Sequence, residues 1–351
     1  MSFDDFFNSN CTDDFDDDCS TDPWSDLDGP TQLGPPQLAA LVCYGLVFLL
    51  GAPGNAVVAW VTAFRMPRSV NSQWFRHLAL ADLLCCLSLP LLMVPLAQDQ
   101  HWPYGQVGCK LLPAVFNLTM YCSVLLLVVI SLDRWLLVTR PVWCQNRRTP
   151  RHARWVCLGA WALALVLSLP HVFYMQKVSM GSEKVVCSPS LSRQASLVVN
   201  IVQFLLGFLL PFLIIVACHW VVYARTAQGP SRGRGGGARS RRTRRVIGAV
   251  VVSFFLCWLP LHVTDFLLRV TPHEKPWISS LRLAGVLTLC LAYFNSCLNP
   301  LLYVCLGRSF KDSMRQSFRG MLSFMAEEPS RSGPSFSVTK STSDNIQEKT
   351  M

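Results

Sequence analysis

The sequence predicts an all-α membrane protein, a bundle of seven transmembrane helices followed by an amphipathic eighth helix. Of its 351 residues, 51% are apolar and only 15% are charged, a composition unlike that of a soluble chain. A helix needs roughly 20 mostly apolar residues to cross about 30 Å of hydrocarbon. Seven runs of that kind are found, at residues 38–64, 74–97, 107–139, 153–174, 194–223, 246–270 and 281–305.

These runs divide the chain into four parts. Residues 1–37 form an acidic segment predicted to be disordered, 38–305 the bundle, 306–319 a membrane-surface helix and 320–351 a disordered tail rich in Ser and Thr. The first part lacks a basic start and a continuous apolar core, so it is not typical of a cleaved signal peptide. We therefore expect the first hydrophobic segment to act as the insertion signal.

Basic residues are concentrated in the loops after the third and fifth segments. They are Arg140, Arg147, Arg148, Arg151 and Arg154 in the first loop, and Arg225, Arg232, Arg234, Arg239, Arg241, Arg242, Arg244 and Arg245 in the second. The positive-inside rule puts both loops in the cytoplasm, which leaves the N-terminus extracellular and the C-terminus cytoplasmic. The net charge of +10 thus favours anionic lipid headgroups as partners, and nucleic acid binding has no other support.

The outer segment has the opposite charge. Residues 1–37 contain no Lys or Arg, and aromatic residues are interleaved with the aspartates. Either this is a solvated tail, or it captures a basic protein through a cluster formed by Asp13, Asp14, Asp16, Asp17 and Asp18.

Asn10 begins a glycosylation acceptor, Asn10-Cys11-Thr12. Whether Cys11 pairs with Cys19 is left open, because connectivity does not follow from sequence alone.

Each hydrophobic segment carries one distinctive polar, aromatic or proline mark. In order, the marks are Asn55, Asp82, Asp133-Arg134, Trp161, Pro211, Cys257-Trp258-Leu259-Pro260 and Asn299-Pro300-Leu301-Leu302-Tyr303. Charged and amide groups are costly inside a membrane, so a chain that keeps them uses them. The ordered set resembles the rhodopsin-like class of G-protein-coupled receptors, over residues 38–320.

Longer motifs narrow the resemblance to the chemoattractant group. They are residues 101–105 (HWPYG), 81–90 (ADLLCCLSLP), 141–146 (PVWCQN) and 294–300 (FNSCLNP). Within that group the chain is most similar to the anaphylatoxin chemotactic receptors for complement component 5 fragment a. The short loop at 175–193 argues against the receptors for the component 3 fragment. The alternatives are a receptor for another chemoattractant peptide and a non-signalling scavenging receptor, against which Asp133, Arg134 and Tyr303 argue.

The resemblance implies a function and partners. We expect a receptor in the plasma membrane that binds the complement component 5 anaphylatoxin, a small basic protein. It would drive chemotaxis and inflammatory signalling through a heterotrimeric G protein, which the resemblance implies is of the inhibitory class. It also implies a disulfide between Cys109 and Cys187, which would pin the second outer loop over the bundle.

The same resemblance implies an allosteric sodium site, although no cofactor is required. Its candidate ligands are Asp82, Ser123, Asn295, Ser296 and Asn299. Hard oxygen ligands suit such a cation. The alternative is a protonated Asp82 in a purely structural polar network.

The motif residues of the third, sixth and seventh hydrophobic segments are predicted to form an activation switch. Its members are Asp133, Arg134, Phe254, Trp258, Pro260, Asn299, Pro300 and Tyr303. We predict that Asp133 pairs with Arg134 at rest and that the released Arg134 faces an inserted partner helix. Phe254 and Trp258 are either a toggle or plain aromatic core. Trp135 and His219 stand where the class mostly has Tyr.

The ligand pocket departs from the family pattern. Met175, Gln203 and Gly285 align with charged positions of the relatives, and Asp265 and Arg269, a turn apart, are the candidates to supply charges instead. Met175, Gln203, Asp265 and Arg269 are thus the predicted pocket residues.

Residues 308–319 repeat Phe310, Met314 and Phe318 at a spacing of four, with basic residues on a neighbouring face, which predicts a helix lying on the inner leaflet. The tail beyond it offers phosphorylation sites, whose negative charge would suit an arrestin. The sites are Ser330, Ser332, Ser335, Ser337, Thr339, Ser341, Thr342 and Ser343. The alternative is an ordinary flexible tail.

Two other classes are disfavoured. A transporter or channel should show internal repeats, and none is found. An enzyme would need a catalytic cluster, whereas the seven His residues share no spacing typical of metal ligands. We therefore predict that the protein is not an enzyme.

Overall fold

The computed structural model describes residues 34–98, 101–180, 184–228, 236–271 and 276–306. Within these ranges the helices are α1 (Pro35–Trp60), α2 (Val70–Ala97), α3 (Gly105–Thr139), α4 (Pro141–Arg147), α5 (Pro150–Tyr174), α6 (Arg193–Phe204), α7 (Leu210–Gln228), α8 (Gly236–Val270) and α9 (Ile278–Leu306). The strands are β1 (Met175–Met180) and β2 (Lys184–Pro189). Turns of π-helix extend α1 over Val61–Arg65 and join α6 to α7 over Leu205–Leu209.

Six helical stretches of the described chain are long and apolar enough to cross a membrane. They are Gln37–Arg65, Val70–Ala97, Gly105–Thr139, Pro150–Tyr174, Gln194–Arg225 and Leu283–Pro300. A shorter apolar stretch, Val252–Leu268, lies in α8. Each of the seven stretches overlaps one of the seven predicted segments, so the prediction of an all-α transmembrane bundle is confirmed.

The distribution of side chains is that of a protein with lipid around it. Asn55 and Asp82 are fully buried, whereas Phe64 and Phe173 are 76% and 73% exposed. In lipid, polar groups must find partners inside the protein and apolar side chains can face outward. The polar interior of the bundle is therefore where functional groups are expected.

Local sequence signals fix several helix starts. Ser69 and Ser72 form a reciprocal capping box at the start of α2. Thr149 accepts a hydrogen bond from the His152 backbone N–H and caps α5. The π-helical turn before α7 ends just ahead of Pro211, where a proline cannot donate the backbone hydrogen bond of an α-helix.

The segment between α5 and α6 forms a β-hairpin. Strands β1 and β2 pair antiparallel, with Lys177 opposite Cys187. The Trp102 backbone N–H donates to the Val185 carbonyl at 2.7 Å, which attaches the hairpin to the preceding loop. The sequence predicts only a loop here. Short strands of this kind lack a long alternating pattern that would reveal them.

The predicted amphipathic helix at 308–319, the predicted disordered tail at 320–351 and residues 1–33 of the predicted disordered acidic segment lie outside the described residues. Residues 35–37 of that segment belong to α1, which begins three residues before the predicted first transmembrane segment.

Candidate functional site

A disulfide between Cys109 and Cys187 links the start of α3 to β2, which confirms the predicted bond. Trp102 and Met175 pack with it in one buried cluster. Met175 was predicted to line the ligand pocket, but its side chain is fully buried in this cluster. Gln106 adds a second tie, because its side chain hydrogen-bonds the Met175 carbonyl and the Lys177 N–H.

Gln203 lies in a buried polar cluster near the end of α5 that leads into the hairpin. Its amide nitrogen donates to Oδ1 of Asn117 at 2.9 Å and lies 3.3 Å from Nε2 of His171. The three side chains come from α6, α3 and α5, and all are buried. The cluster therefore joins three helices through neutral amide and imidazole groups.

The other predicted pocket residues are less fully described. Asp265 is half-buried on α8. The Arg269 side chain lies outside the described ones. Gly285 is buried on α9, and its carbonyl accepts a hydrogen bond from Thr288.

An aromatic stack lies deeper in the bundle. The rings of Phe208 and Phe254 stack with centroids 5.8 Å apart, and Phe254 lies 6.4 Å from Trp258. Both members of the predicted toggle are buried. The indole N–H of Trp258 meets no acceptor among the described residues. Because packing alone holds the ring there, repacking would break no hydrogen bond of the indole.

Asp82 is the centre of a polar network between α2, α3 and α9. Its Oδ1 accepts a hydrogen bond from Ser123 at 3.0 Å, and its Oδ2 accepts one from Asn299 at 2.7 Å. Ser296 interacts with the same carboxylate. Asn295 is buried, but no hydrogen bond joins it to Asp82 in the described part of the chain. The carboxylate and the hydroxyl oxygens of Ser123 and Ser296 offer part of the oxygen donor set that a hard cation prefers, whereas Asn299 presents its amide nitrogen to Asp82.

The predicted ion pair between Asp133 and Arg134 is wrong for this structure. The partner of Asp133 is Arg148, whose Nε lies 2.7 Å from Oδ1. Arg148 approaches the carboxylate from the linker between α4 and α5 and engages both of its oxygens, so Asp133 already has a cation when Arg134 is nearby.

Arg134 instead donates to the side-chain carbonyl of Asn71 at 3.2 Å. Nearby, the His219 imidazole lies 3.2 Å from the Ser131 hydroxyl, so the residue that departs from the class pattern still ties α7 to α3.

In α4, burial raises the pKa of the Cys144 thiol, and the Asp133 carboxylate raises it further. This thiol therefore stays protonated at neutral pH.

The remaining switch residues lie on α8 and α9. Pro260 and Pro300 are inside these helices. Tyr303 belongs to α9, but its side chain is outside the described ones. The glycosylation, ligand-capture and phosphorylation predictions, at Asn10, Asp13–Asp18 and Ser330–Ser343, fall outside the described residues.

Sequence reasoning missed four residues of these sites, Asn71, Asn117, Arg148 and His171. Asn117 carried a usable signal, since it is a lone amide in a long apolar run. Arg148 carried none, because nothing in the sequence separates it from the neighbouring arginines of its loop.

Comparison with known proteins agrees with this architecture. A family model described as 7 transmembrane receptor (rhodopsin family) matches residues 54–303. Proteins named C5a anaphylatoxin chemotactic receptor 1 are similar over most of their length. The one from Oncorhynchus mykiss is 58% identical over 92% of both chains. The one from Danio rerio is 56% identical, covering 90% of this chain and 91% of its own. The one from Homo sapiens is 40% identical, covering 90% and 89%. The chain therefore belongs to the rhodopsin family of seven-transmembrane receptors, in one family with these three proteins.

Proposed function

We propose that this receptor binds the C5a anaphylatoxin and, once occupied, activates a heterotrimeric G protein of the inhibitory class, which drives chemotaxis and inflammatory signalling. The observation that carries the proposal is the 58% identity, over 92% of both chains, to a protein named for this ligand. A similarity that covers nearly the whole length includes both the outer ligand-facing half and the cytoplasmic half of the bundle.

The receptor has its N-terminus outside the plasma membrane and its C-terminus in the cytoplasm. The arginine-rich loops support this orientation through the positive-inside rule. The disulfide-linked hairpin then belongs to the outer face, in an oxidising compartment. The same basic loops contact anionic lipid headgroups of the inner leaflet.

Ligand recognition takes place beneath the hairpin, near Gln203 and Asp265. The cluster of Gln203, Asn117 and His171 offers hydrogen-bond donors and acceptors to a ligand, and its two amide side chains are uncharged. Asp265, half-buried on α8, supplies a charge for the ligand, and Arg269, a turn further along the chain, is the candidate for a second. The acidic segment before the bundle, with Asp13–Asp18, captures the basic body of the ligand.

On the inner side, Arg134 faces the G protein after α8 moves. The packing of Phe254 against Trp258 supports this route, because both rings lie on α8 and Phe254 stacks on Phe208, five residues after Gln203 in the chain. A sodium ion at Asp82 stabilises the resting state; the Asp82 carboxylate and the hydroxyl oxygens of Ser123 and Ser296 would hold it, while Asn299 orients the carboxylate through its amide N–H. Phosphorylation of the tail at Ser330–Ser343 then recruits an arrestin.

Purified receptor in lipid nanodiscs with an inhibitory-class G protein tests the proposal. C5a should accelerate guanine-nucleotide exchange in the wild type. Arg134→Ala should bind C5a with unchanged affinity and catalyse no exchange. Binding without exchange in the wild type would instead indicate a scavenging receptor, and the absence of binding would point to another chemoattractant.

A further inference from the structure

Both carboxylate oxygens of Asp133 are occupied by a single guanidinium. Nε of Arg148 donates to Oδ1 at 2.7 Å and Nη2 donates to Oδ2 at 2.9 Å. The side chains of Arg148 and Asp133 are 21% and 8% exposed, so the pair is largely shielded from water. Bidentate arginine–carboxylate pairs are both stronger and more directional than single hydrogen bonds.

The end of α4 and the start of α5 fix the backbone position of Arg148. Its backbone N–H donates to the Cys144 carbonyl at the end of α4. The next residue, Thr149, caps α5. A residue between two such caps has little backbone freedom, so Arg148 is held in place before it meets Asp133.

Arg134 is restrained differently from Arg148. It donates to Oδ1 of Asn71 at 3.2 Å, and the same oxygen accepts a hydrogen bond from Nη2 of Arg148 at 2.7 Å. A neutral acceptor shared between two guanidinium groups holds each of them less firmly than a carboxylate would. In this arrangement Arg134 therefore leaves its resting position at a lower cost than it would from an ion pair.

We propose that Arg148 is a positioning residue for G-protein activation, which keeps Asp133 engaged so that this carboxylate does not capture Arg134. The inference rests on the proposed function. If Arg148 is removed, Asp133 becomes a buried carboxylate without its cation. The neighbouring Arg134 is then the nearest cation, and a bent side-chain conformation lets it compensate that charge.

Nucleotide exchange in nanodiscs at saturating C5a tests the role of Arg148. Arg148→Gln should lower the stimulated exchange rate by about fivefold, within the range of mutations that modulate coupling between sites. Arg147→Gln is the matched control, because it removes the same charge from the same loop at an exposed position. Its rate should equal that of the wild type. An equal loss in both variants would overturn the proposal.

A double variant separates positioning from a merely structural role. Arg148→Gln combined with Asp133→Asn leaves no carboxylate to capture Arg134, so the exchange rate should recover most of the loss. A double variant no faster than Arg148→Gln would refute the capture mechanism. If Arg148→Gln does not bind C5a, Arg148→Lys, alone and with Asp133→Asn, gives the same comparison, with a smaller loss for the single change. A wild type without exchange would refute the proposed function, whereas an active wild type matched by Arg148→Gln would refute this inference alone.

Discussion

The side-chain amide of Asn299 donates a hydrogen bond of 2.7 Å to Asp82, and this contact joins the seventh transmembrane stretch to the second at the centre of the bundle. Ser123 adds α3 through the other carboxylate oxygen. Asn55 adds α1, because its amide donates to the Ser296 carbonyl. Four helices thus meet in one hydrogen-bonded network. A change of charge at Asp82 therefore alters hydrogen bonds that connect all four of them.

Replacing Asp82 by Asn tests whether the network responds to sodium. The substitution keeps the size of the side chain but removes the charge that a cation needs, so the sodium dependence of agonist binding should disappear. Signalling should change while the receptor still inserts. The measurement is agonist affinity at several sodium concentrations, with potassium holding the ionic strength constant.

Ser88→Ala is the matched control for Asp82→Asn. It removes another buried polar group of α2, one that hydrogen-bonds the Cys85 carbonyl of its own helix. Sodium dependence should persist in this variant. If Asp82→Asn kept its sodium dependence together with wild-type coupling, the cation site would be ruled out.

The sequence identifies the transmembrane stretches and the interior positions because lipid imposes a strong constraint on both. Twenty apolar residues in a row have few other uses, and Asp82 is costly in lipid unless it has partners. The sequence does not identify which partner a charged residue takes. Arg134 and Arg148 carry the same charge. Arg134 is next to Asp133 in the chain, whereas Arg148 comes close to it only in the fold. The geometry of the α4–α5 linker determines that Asp133 pairs with Arg148.

The pocket shows the same division between what sequence reveals and what it does not. Gln203 stood out as a departure from the family pattern, but its partners Asn117 and His171 are 86 and 32 positions away in the chain. Contacts between helices depend on helix rotation and on the π-helical turn that follows α6. A one-dimensional pattern does not fix either of these.

The outer disulfide should behave as a single unit in mutagenesis. Cys109→Ser, Cys187→Ser and the double variant should lose surface expression and C5a binding to the same extent, because each frees the same hairpin. Loss of a native disulfide typically costs about 2–5 kcal/mol. Flow cytometry with labelled ligand measures both quantities. A double variant clearly worse than either single variant would show that the two cysteines act separately.

Close packing around Gly51 predicts a destabilising Gly51→Ala change. A Cβ at this position would lie 2.5 Å from Sγ of Cys86 and 3.0 Å from Sγ of Cys297. Overpacking of this kind costs about 1–3 kcal/mol. A contact as short as 2.5 Å belongs to the upper part of that range, which exceeds the roughly 1 kcal/mol by which alanine favours a helix over glycine. Thermal unfolding of the purified receptor should therefore begin at a lower temperature.

Two further variants make the test of Gly51 specific. Gly159→Ala, where a Cβ would meet nothing within 4 Å, should not destabilise the receptor. Cys86→Ala in the Gly51→Ala background should restore part of the lost stability, since the two changes share one space. Additive losses in that pair would show that the close approach is not the cause.

The acidic segment at residues 1–30 should determine how fast the ligand arrives, whereas the bundle should determine the response. Attraction between this segment and a basic ligand raises the association rate and weakens as salt shortens the screening length to about 8 Å at physiological strength. Deleting residues 1–30, or changing Asp13, Asp14, Asp16, Asp17 and Asp18 to Asn, should lower the affinity for intact C5a and flatten its salt dependence. A short peptide copied from the ligand's C-terminus contacts only the bundle, so it should activate the wild type and both variants alike. Association rates at several salt concentrations, together with peptide dose–response curves, separate the two steps. If truncation reduced the responses to peptide and to protein equally, or if the affinity for intact C5a did not change with salt, the acidic segment would have no separate role in capture.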